Sequence, residues 1–122
     1  ETFKILDKHN KSYNKEKTSY FIEFQRRNCF NTSDKTLQPW VWHTDDDGAV
    51  SYRVHTVLFY IRKDRGVHGG DLKYKLNNVT KTHEVEEGDI LCFQGDIKHC
   101  PDPIWGVGCR DLIVVFVKRE RE

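Results

Sequence analysis

The chain reads as all-β: a double-sheet barrel of the jelly-roll kind, built from about eight short strands. Three observations predict this. Apolar and polar residues alternate with period two over short stretches, as a half-buried strand requires; Val54, Thr56, Leu58 and Tyr60 fall on one face, and Arg53, His55, Val57 and Phe59 on the other. Turn-forming clusters interrupt these stretches at short intervals, among them Asp45-Asp46-Asp47-Gly48, Asn77-Asn78 and Glu86-Glu87-Gly88-Asp89. No stretch spaces its apolar residues as an amphipathic helix would.

Residues 1–18 are polar and Lys-rich and read as a loop or arm. The first strand is expected at 19–27, where Tyr20, Ile22 and Phe24 alternate on the face taken as half-buried. A turn-rich connection, 28–38, leads to a short aromatic strand at 39–44 that the Asp-rich turn breaks. The longest strand is expected at 52–62, and 63–67 reads as a charged turn. Gly69-Gly70 opens a strand at 71–76, followed by strands at 81–85, 90–93 and 97–99. Residues 101–108, with two prolines and two glycines, read as a loop before the last strand, 109–118.

A chain of 122 residues forms one domain with one modest core, so the whole span 1–122 is taken as a single domain. It opens on Glu1 and contains no Met, and is read as a trimmed piece of a longer chain. Twenty Lys and Arg against nineteen Asp and Glu leave no general basic field for nucleic acid. The longest apolar run, 112–117, is far too short to span a bilayer, so no membrane partner is expected. Cys29, Cys92, Cys100 and Cys109 include no C-x-x-C pair; reduced thiols in a cytoplasmic setting are the favoured reading, with a Cys100–Cys109 bridge the alternative. Three Asn-x-Ser/Thr triplets keep the secretory pathway open.

The candidate site begins at Trp42-His43-Thr44-Asp45. Residues two apart on a strand point the same way, so the His43 imidazole and the Asp45 carboxylate can share a metal ion. A glycine-bounded strand, 88–95, leads to a second imidazole at His99. Two histidines and one carboxylate with open positions form the facial donor set of non-haem Fe(II) sites. Arg110 stands before the β-branched run 112–117, where its guanidinium can grip a carboxylate with two parallel hydrogen bonds. Each residue alone has an ordinary explanation, since Asp-Asp-Asp-Gly is a common strand end and six histidines will place some near turns. The conjunction is what specifies metal chemistry. Asp89 and Asp96 read as turn formers, and His55, His68 and His83 as non-ligands.

Across residues 38–118 the chain resembles the double-stranded β-helix core of Fe(II)- and 2-oxoglutarate-dependent oxygenases, in their prolyl 4-hydroxylase-like branch. The resemblance is carried by Trp42-His43-Thr44-Asp45, the run 53–60, Gly69-Gly70-Asp71-Leu72, the run 88–93, and His99 through Arg110 to Val117. It implies iron on His43, Asp45 and His99, with Arg110 holding the far carboxylate of 2-oxoglutarate. It also implies that Tyr60 offers a hydroxyl nearby, and that Thr56, Leu58, Leu72 and Val114 line the co-substrate slot. The implied activity is dioxygenase hydroxylation of a C–H bond, on a prolyl residue of a peptide or protein, using O₂ and releasing succinate and CO₂, with ascorbate as an accessory reductant. Two alternatives stay open: the same chemistry on nucleic acid or a small molecule, and a cupin-like metal-binding barrel without oxygenase activity. His-x-Asp rather than His-x-His, and the presence of Arg110, weigh against the binding barrel.

Overall fold

The computed structural model describes residues 18–32, 41–48 and 52–120; the expected arm at 1–17 and most of the connection expected at 28–38 lie outside them. The described residues form eight strands and no helix. Two antiparallel sheets face each other. The larger runs in the order β1 (Thr18–Thr32), β8 (Ile104–Glu120), β2 (Tyr52–Lys63), β6 (Ile90–Gln94), with β3 (Val67–Gly69) pairing a separate stretch of β8. The smaller runs β5 (Val79–His83), β4 (Leu72–Leu76), β7 (His99–Pro101).

The core lies between the sheets. Leu72 of the small sheet meets Leu58 and Tyr60 of β2 and Leu112 and Val114 of β8, with Val85 closing the layer. Burying each aliphatic side chain of this kind contributes roughly 1.5–3 kcal/mol. Leu58 lies opposite Val114, and Tyr60 opposite Leu112, so the alternation read along β2 matches that of its neighbour. Ile61 then forms a bulge, after which Arg62 faces Asp111.

β1 runs on to Thr32 where a connection was expected from 28, β5 covers Val79–His83 rather than 81–85, and β7 His99–Pro101 rather than 97–99; four larger departures follow. Residues 101–108 are not a loop, because Pro101 ends β7 and Ile104 begins the 17-residue β8. There β8 is held on both sides, by β1 at Gly106–Gly108 and by β3 at Ile104–Gly106. The glycine that suggested a loop serves a close approach: a Cβ on Gly106 would stand 2.0 Å from the Gly66 carbonyl oxygen. The charged turn at 63–67 shrinks accordingly, with Val67 already in β3. The strand expected at 39–44 is a single bridge at His43, with 39–40 outside the described residues.

The fourth departure concerns β1. Ile22 and Phe24, expected on its half-buried face, are 67% and 55% exposed. They share the outer side of the large sheet with Val115 and Ile113, their partners on β8. Gln25 and Arg27 take the inner face instead, opposite Leu112 and Arg110.

Candidate metal centre and anion cavity

His43 and His99 are brought together by main chain. Each donates its backbone N–H to the other's carbonyl oxygen at 3.0 Å, a hydrogen-bonded antiparallel pair that puts both imidazoles on the same side. Their ring centroids are 4.3 Å apart. Each ring is fixed in the same way: His43 Nδ1–H donates to the Val41 carbonyl at 2.9 Å, and His99 Nδ1–H to the Ile97 carbonyl at 2.8 Å. A carbonyl can only accept, so Nδ1 carries the proton and both Nε2 lone pairs stay available to a metal.

Asp45 stands between them. Its Oδ1 lies 3.5 Å from His43 Nε2 and its Oδ2 3.4 Å from His99 Nε2. The three donors lie within 4.8 Å of one another, and they form the one such cluster among the described residues. Two neutral imidazole nitrogens and a carboxylate oxygen are a donor set suited to a divalent first-row ion. His55, His68 and His83 lie outside the cluster. His83 instead pairs with Asp89 at 3.0 Å, and Asp89 also accepts the Glu86 N–H, as a turn former should.

Two further side chains hold the carboxylate loop. The Thr56 hydroxyl donates to Asp45 Oδ2 at 2.7 Å. Asp46, read from the sequence only as part of a turn, is buried; it accepts the N–H of Gly48 at 2.9 Å and that of Val54 at 3.1 Å. The N–H groups of Asp45 and Asp46 both donate to the Gly95 carbonyl, and Gly95 N–H donates to the Val54 carbonyl. The loop is therefore pinned both to β2 and to the turn that follows β6. A buried carboxylate capping backbone N–H groups has no period or spacing to announce it, so nothing in the sequence set Asp46 apart from Asp47.

A cavity of about 370 Å³ opens from the donor cluster. His43, Asp45 and His99 form part of its wall, and Thr56, Leu58, Tyr60, Leu72, Arg110 and Val114 line the rest together with Gln25, Arg27 and Leu112. Arg110 lies well inside β8 and is 3% exposed. Among the described residues its Nε has no hydrogen-bond partner, and no carboxylate pairs with it. Its guanidinium carbon stands 5.9 Å from the centre of the Tyr60 ring. Burial pushes the Arg110 pKa down, opposed by Tyr60 and reinforced by the neighbouring charge of Arg27. Burial also pushes the Tyr60 phenol up, so it keeps its proton and remains a hydrogen-bond donor at neutral pH. A buried cation left without an anion is costly, and an anion reaching it would relieve that cost.

All four cysteines are free; Cys109 Sγ donates to Asn28 Oδ1 and Cys100 Sγ to the Pro101 carbonyl, so the 100–109 bridge is not formed. The Lys75 ammonium lies 4.7 Å from the centre of the Trp42 ring.

No protein-family model matches the chain, and no curated protein matches it. Solved structures do. A prolyl 4-hydroxylase from Phytophthora capsici superposes with a TM-score of 0.64 at 18% identity, covering 97% of this chain and 39% of that one. An oxidoreductase of the 2OG-Fe(II) oxygenase family from Burkholderia pseudomallei superposes with a TM-score of 0.57 at 16% identity, covering 80% of this chain and 43% of that one. The chain thus spans about two-fifths of the length of each. It shares its all-β, two-sheet fold with these two oxygenases.

Proposed function

We propose that the chain forms the core of an Fe(II)- and 2-oxoglutarate-dependent oxygenase that hydroxylates a C–H bond, on a prolyl residue of a peptide or protein. One observation carries this reading: a His-x-Asp…His donor cluster and a buried, anion-less arginine stand on the walls of the same cavity. His43, Asp45 and His99 would hold the iron. An iron held there would supply the oxidation, with the 2-oxo acid and O₂ as co-substrates: one oxygen atom would enter succinate, released with CO₂, and the other the product hydroxyl.

The chain's own residues bind, orient and exclude water. With only three protein donors, the ion they would hold keeps room for a chelating 2-oxo acid and O₂. Arg110 takes the distal carboxylate through its planar fork, and the Tyr60 phenol donates beside it. Leu58, Leu72 and Val114 enclose the aliphatic part of the co-substrate and keep bulk water off it. Thr56 holds the Asp45 carboxylate in place for the ion.

The prolyl assignment is supported by the resemblance of the run 53–60 and of Gly69-Gly70-Asp71-Leu72 to prolyl hydroxylases, and by the fold likeness to the Phytophthora enzyme. A peptide substrate follows from it, and near-neutral charge disfavours nucleic acid. The binding-barrel alternative predicts metal binding without turnover.

The test uses purified chain supplied with Fe(II), 2-oxoglutarate and O₂, measuring succinate and screening prolyl peptides by mass spectrometry for a gain of one oxygen. Succinate together with an oxidised peptide is the expected result. Succinate without a prolyl product keeps the oxygenase and removes the prolyl substrate. A folded, iron-loaded chain that yields no succinate favours the binding barrel. His43→Ala and Asp45→Ala should abolish turnover while leaving the β-type circular dichroism in place.

A further inference from the structure

We propose that the trough beside the metal cavity, walled by Phe21 and Phe116, seats a large apolar side chain that lies one or two places from the oxidised residue of a peptide, and so sets which peptides the chain accepts. This rests on the reading of the metal cavity as an oxygenase site acting on a peptide.

The trough begins where the metal cavity ends. Its volume is about 410 Å³, and Asp45 and Phe116 line both spaces. Phe116 on β8 lies directly opposite Thr56 on β2, whose hydroxyl holds Asp45. Phe21 on β1 in turn lies directly opposite Phe116. Facing residues of an antiparallel pair project to the same side. Thr56, Phe116 and Phe21 therefore form one row across the inner face of the large sheet, leading from the carboxylate ligand out to the edge strand.

The two rings of that row stack, with centroids 6.1 Å apart and planes 25° apart. Phe116 packs against the core, which fixes the pair, while Phe21 is 60% exposed. The other exposed apolar side chains of β1, Ile22, Phe24 and Phe30, belong to the outer side of the sheet. Phe21 is thus the one that opens toward the metal. An aromatic wall with one ring anchored and one ring wet is a surface on which an apolar group gains by leaving water. Further along the same strands the trough turns polar. The Lys118 ammonium lies 3.7 Å from the centre of the Tyr52 ring, and the Tyr52 hydroxyl donates to Asp47 at 2.6 Å.

A peptide suits this order of surfaces. With the co-substrate in the metal cavity, only the reacting residue can enter, so its neighbours lie on the surface that adjoins. An extended chain advances about 3.3–3.6 Å per residue, and adjacent strands are about 4.7–4.9 Å apart. A residue one or two places from the reacting one therefore comes over the Phe116–Phe21 wall.

The experiment uses the chain with 2-oxoglutarate and with Mn(II) in place of iron, without O₂, and measures peptide binding by calorimetry. The probes are short peptides with a single central proline, either flanked by alanine throughout or carrying one phenylalanine one or two places before or after it. At least one phenylalanine peptide should bind roughly tenfold tighter than the alanine peptide, the gain expected from an added aromatic contact. Phe21→Ala should remove that preference. The alanine peptide, Mn(II) and 2-oxoglutarate should still bind at wild-type strength, which a general loss of structure would not permit. Phe116→Leu keeps an apolar contact with the core and loses the ring; it should reduce the preference and carries the test alone if Phe21→Ala does not fold. Equal binding of all the peptides by the wild-type chain, or a preference that survives either substitution in full, overturns the role of the trough and leaves the oxygenase reading standing. A chain that binds Mn(II) and 2-oxoglutarate but no peptide overturns the trough and the peptide substrate together. One that binds Mn(II) but no 2-oxoglutarate overturns the oxygenase reading and the trough with it.

Discussion

Thr56 and Asp45 are joined by a 2.7 Å hydrogen bond, and the oxygen that accepts it, Oδ2, is the one that faces His99. The hydroxyl belongs to a side chain 1% exposed in the middle of β2, so the carboxylate is oriented from a rigid strand rather than from its own loop. Thr56→Val keeps the shape and removes the donor. Metal affinity is expected to fall by about 10–100-fold, the usual cost of losing a partner that orients a ligand. Competition titration with Mn(II) or Zn(II) checks it; wild-type affinity in this variant would show that Asp45 needs no such support.

Asp46 acts one step further out. Asp46→Ala leaves the Val54 N–H buried without its acceptor and releases Gly48. A buried donor left unsatisfied costs about 1–3 kcal/mol. Denaturant unfolding should show a loss in that range, together with weaker metal binding because the Asp45 loop is no longer anchored. Asp47→Ala is the control, since Asp47 is exposed and its carboxylate receives the Tyr52 hydroxyl; it should leave metal affinity unchanged.

Arg110→Lys preserves the charge and loses the planar fork. Arg110→Ala removes one partner of a desolvated charge pair, an effect of about 2–5 kcal/mol on co-substrate binding. Both should raise the 2-oxoglutarate requirement, the alanine variant more, with little change in metal affinity. Calorimetry that finds unchanged 2-oxoglutarate affinity in Arg110→Ala removes the assignment of the distal carboxylate to this residue.

The outer face of the sheet sets the response to acid. Arg26 donates two 2.8 Å hydrogen bonds to Asp111 and holds its carboxyl below the usual range, and the Arg62 guanidinium does the same for Asp64. A carboxyl whose folded pKa is depressed contributes stability that is present above its unfolded pKa and lost as pH falls through the folded one. Stability should therefore decline below about pH 4, the ordinary aspartate range, and the decline should be shallower in Asp111→Asn, which starts lower. Unfolding midpoints measured between neutral pH and pH 3 check the sign. A steeper acid decline in Asp111→Asn contradicts it.

Much of the candidate site was legible in the sequence because its residues obey strand periodicity. Thr56, Leu58 and Tyr60 share a face by alternation, and the cavity confirms that face. His43, Asp45 and His99 were legible as a conjunction of residue types around turns, and backbone pairing then sets them side by side. What escaped did so for physical reasons. Alternation identifies a buried face by its apolar residues, and β1 departs from that rule at Gln25 and Arg27, which line the cavity while Ile22 and Phe24 face outward. β3 was hidden by its brevity and by glycines that mark loops elsewhere. Here they let the Gly66 turn and β8 approach at a distance that no side chain would allow.

The placement of β1 has one more consequence. It is the outermost strand of its sheet, 15 residues long, and among the described residues only β8 pairs with it. Its outward side shows Ile22 and Phe24, and Phe30 further along is 83% exposed. A strand edge of this length, where nothing covers it, is a template on which other extended chains can assemble. The charged and amide side chains of Glu23, Gln25, Arg26 and Arg27 interrupt the run midway, and they are the kind of interruption that keeps such an edge from adding strands indefinitely. Replacing these polar residues with apolar ones would lengthen the adhesive stretch of the edge, a loss of colloidal solubility separate from any loss of fold.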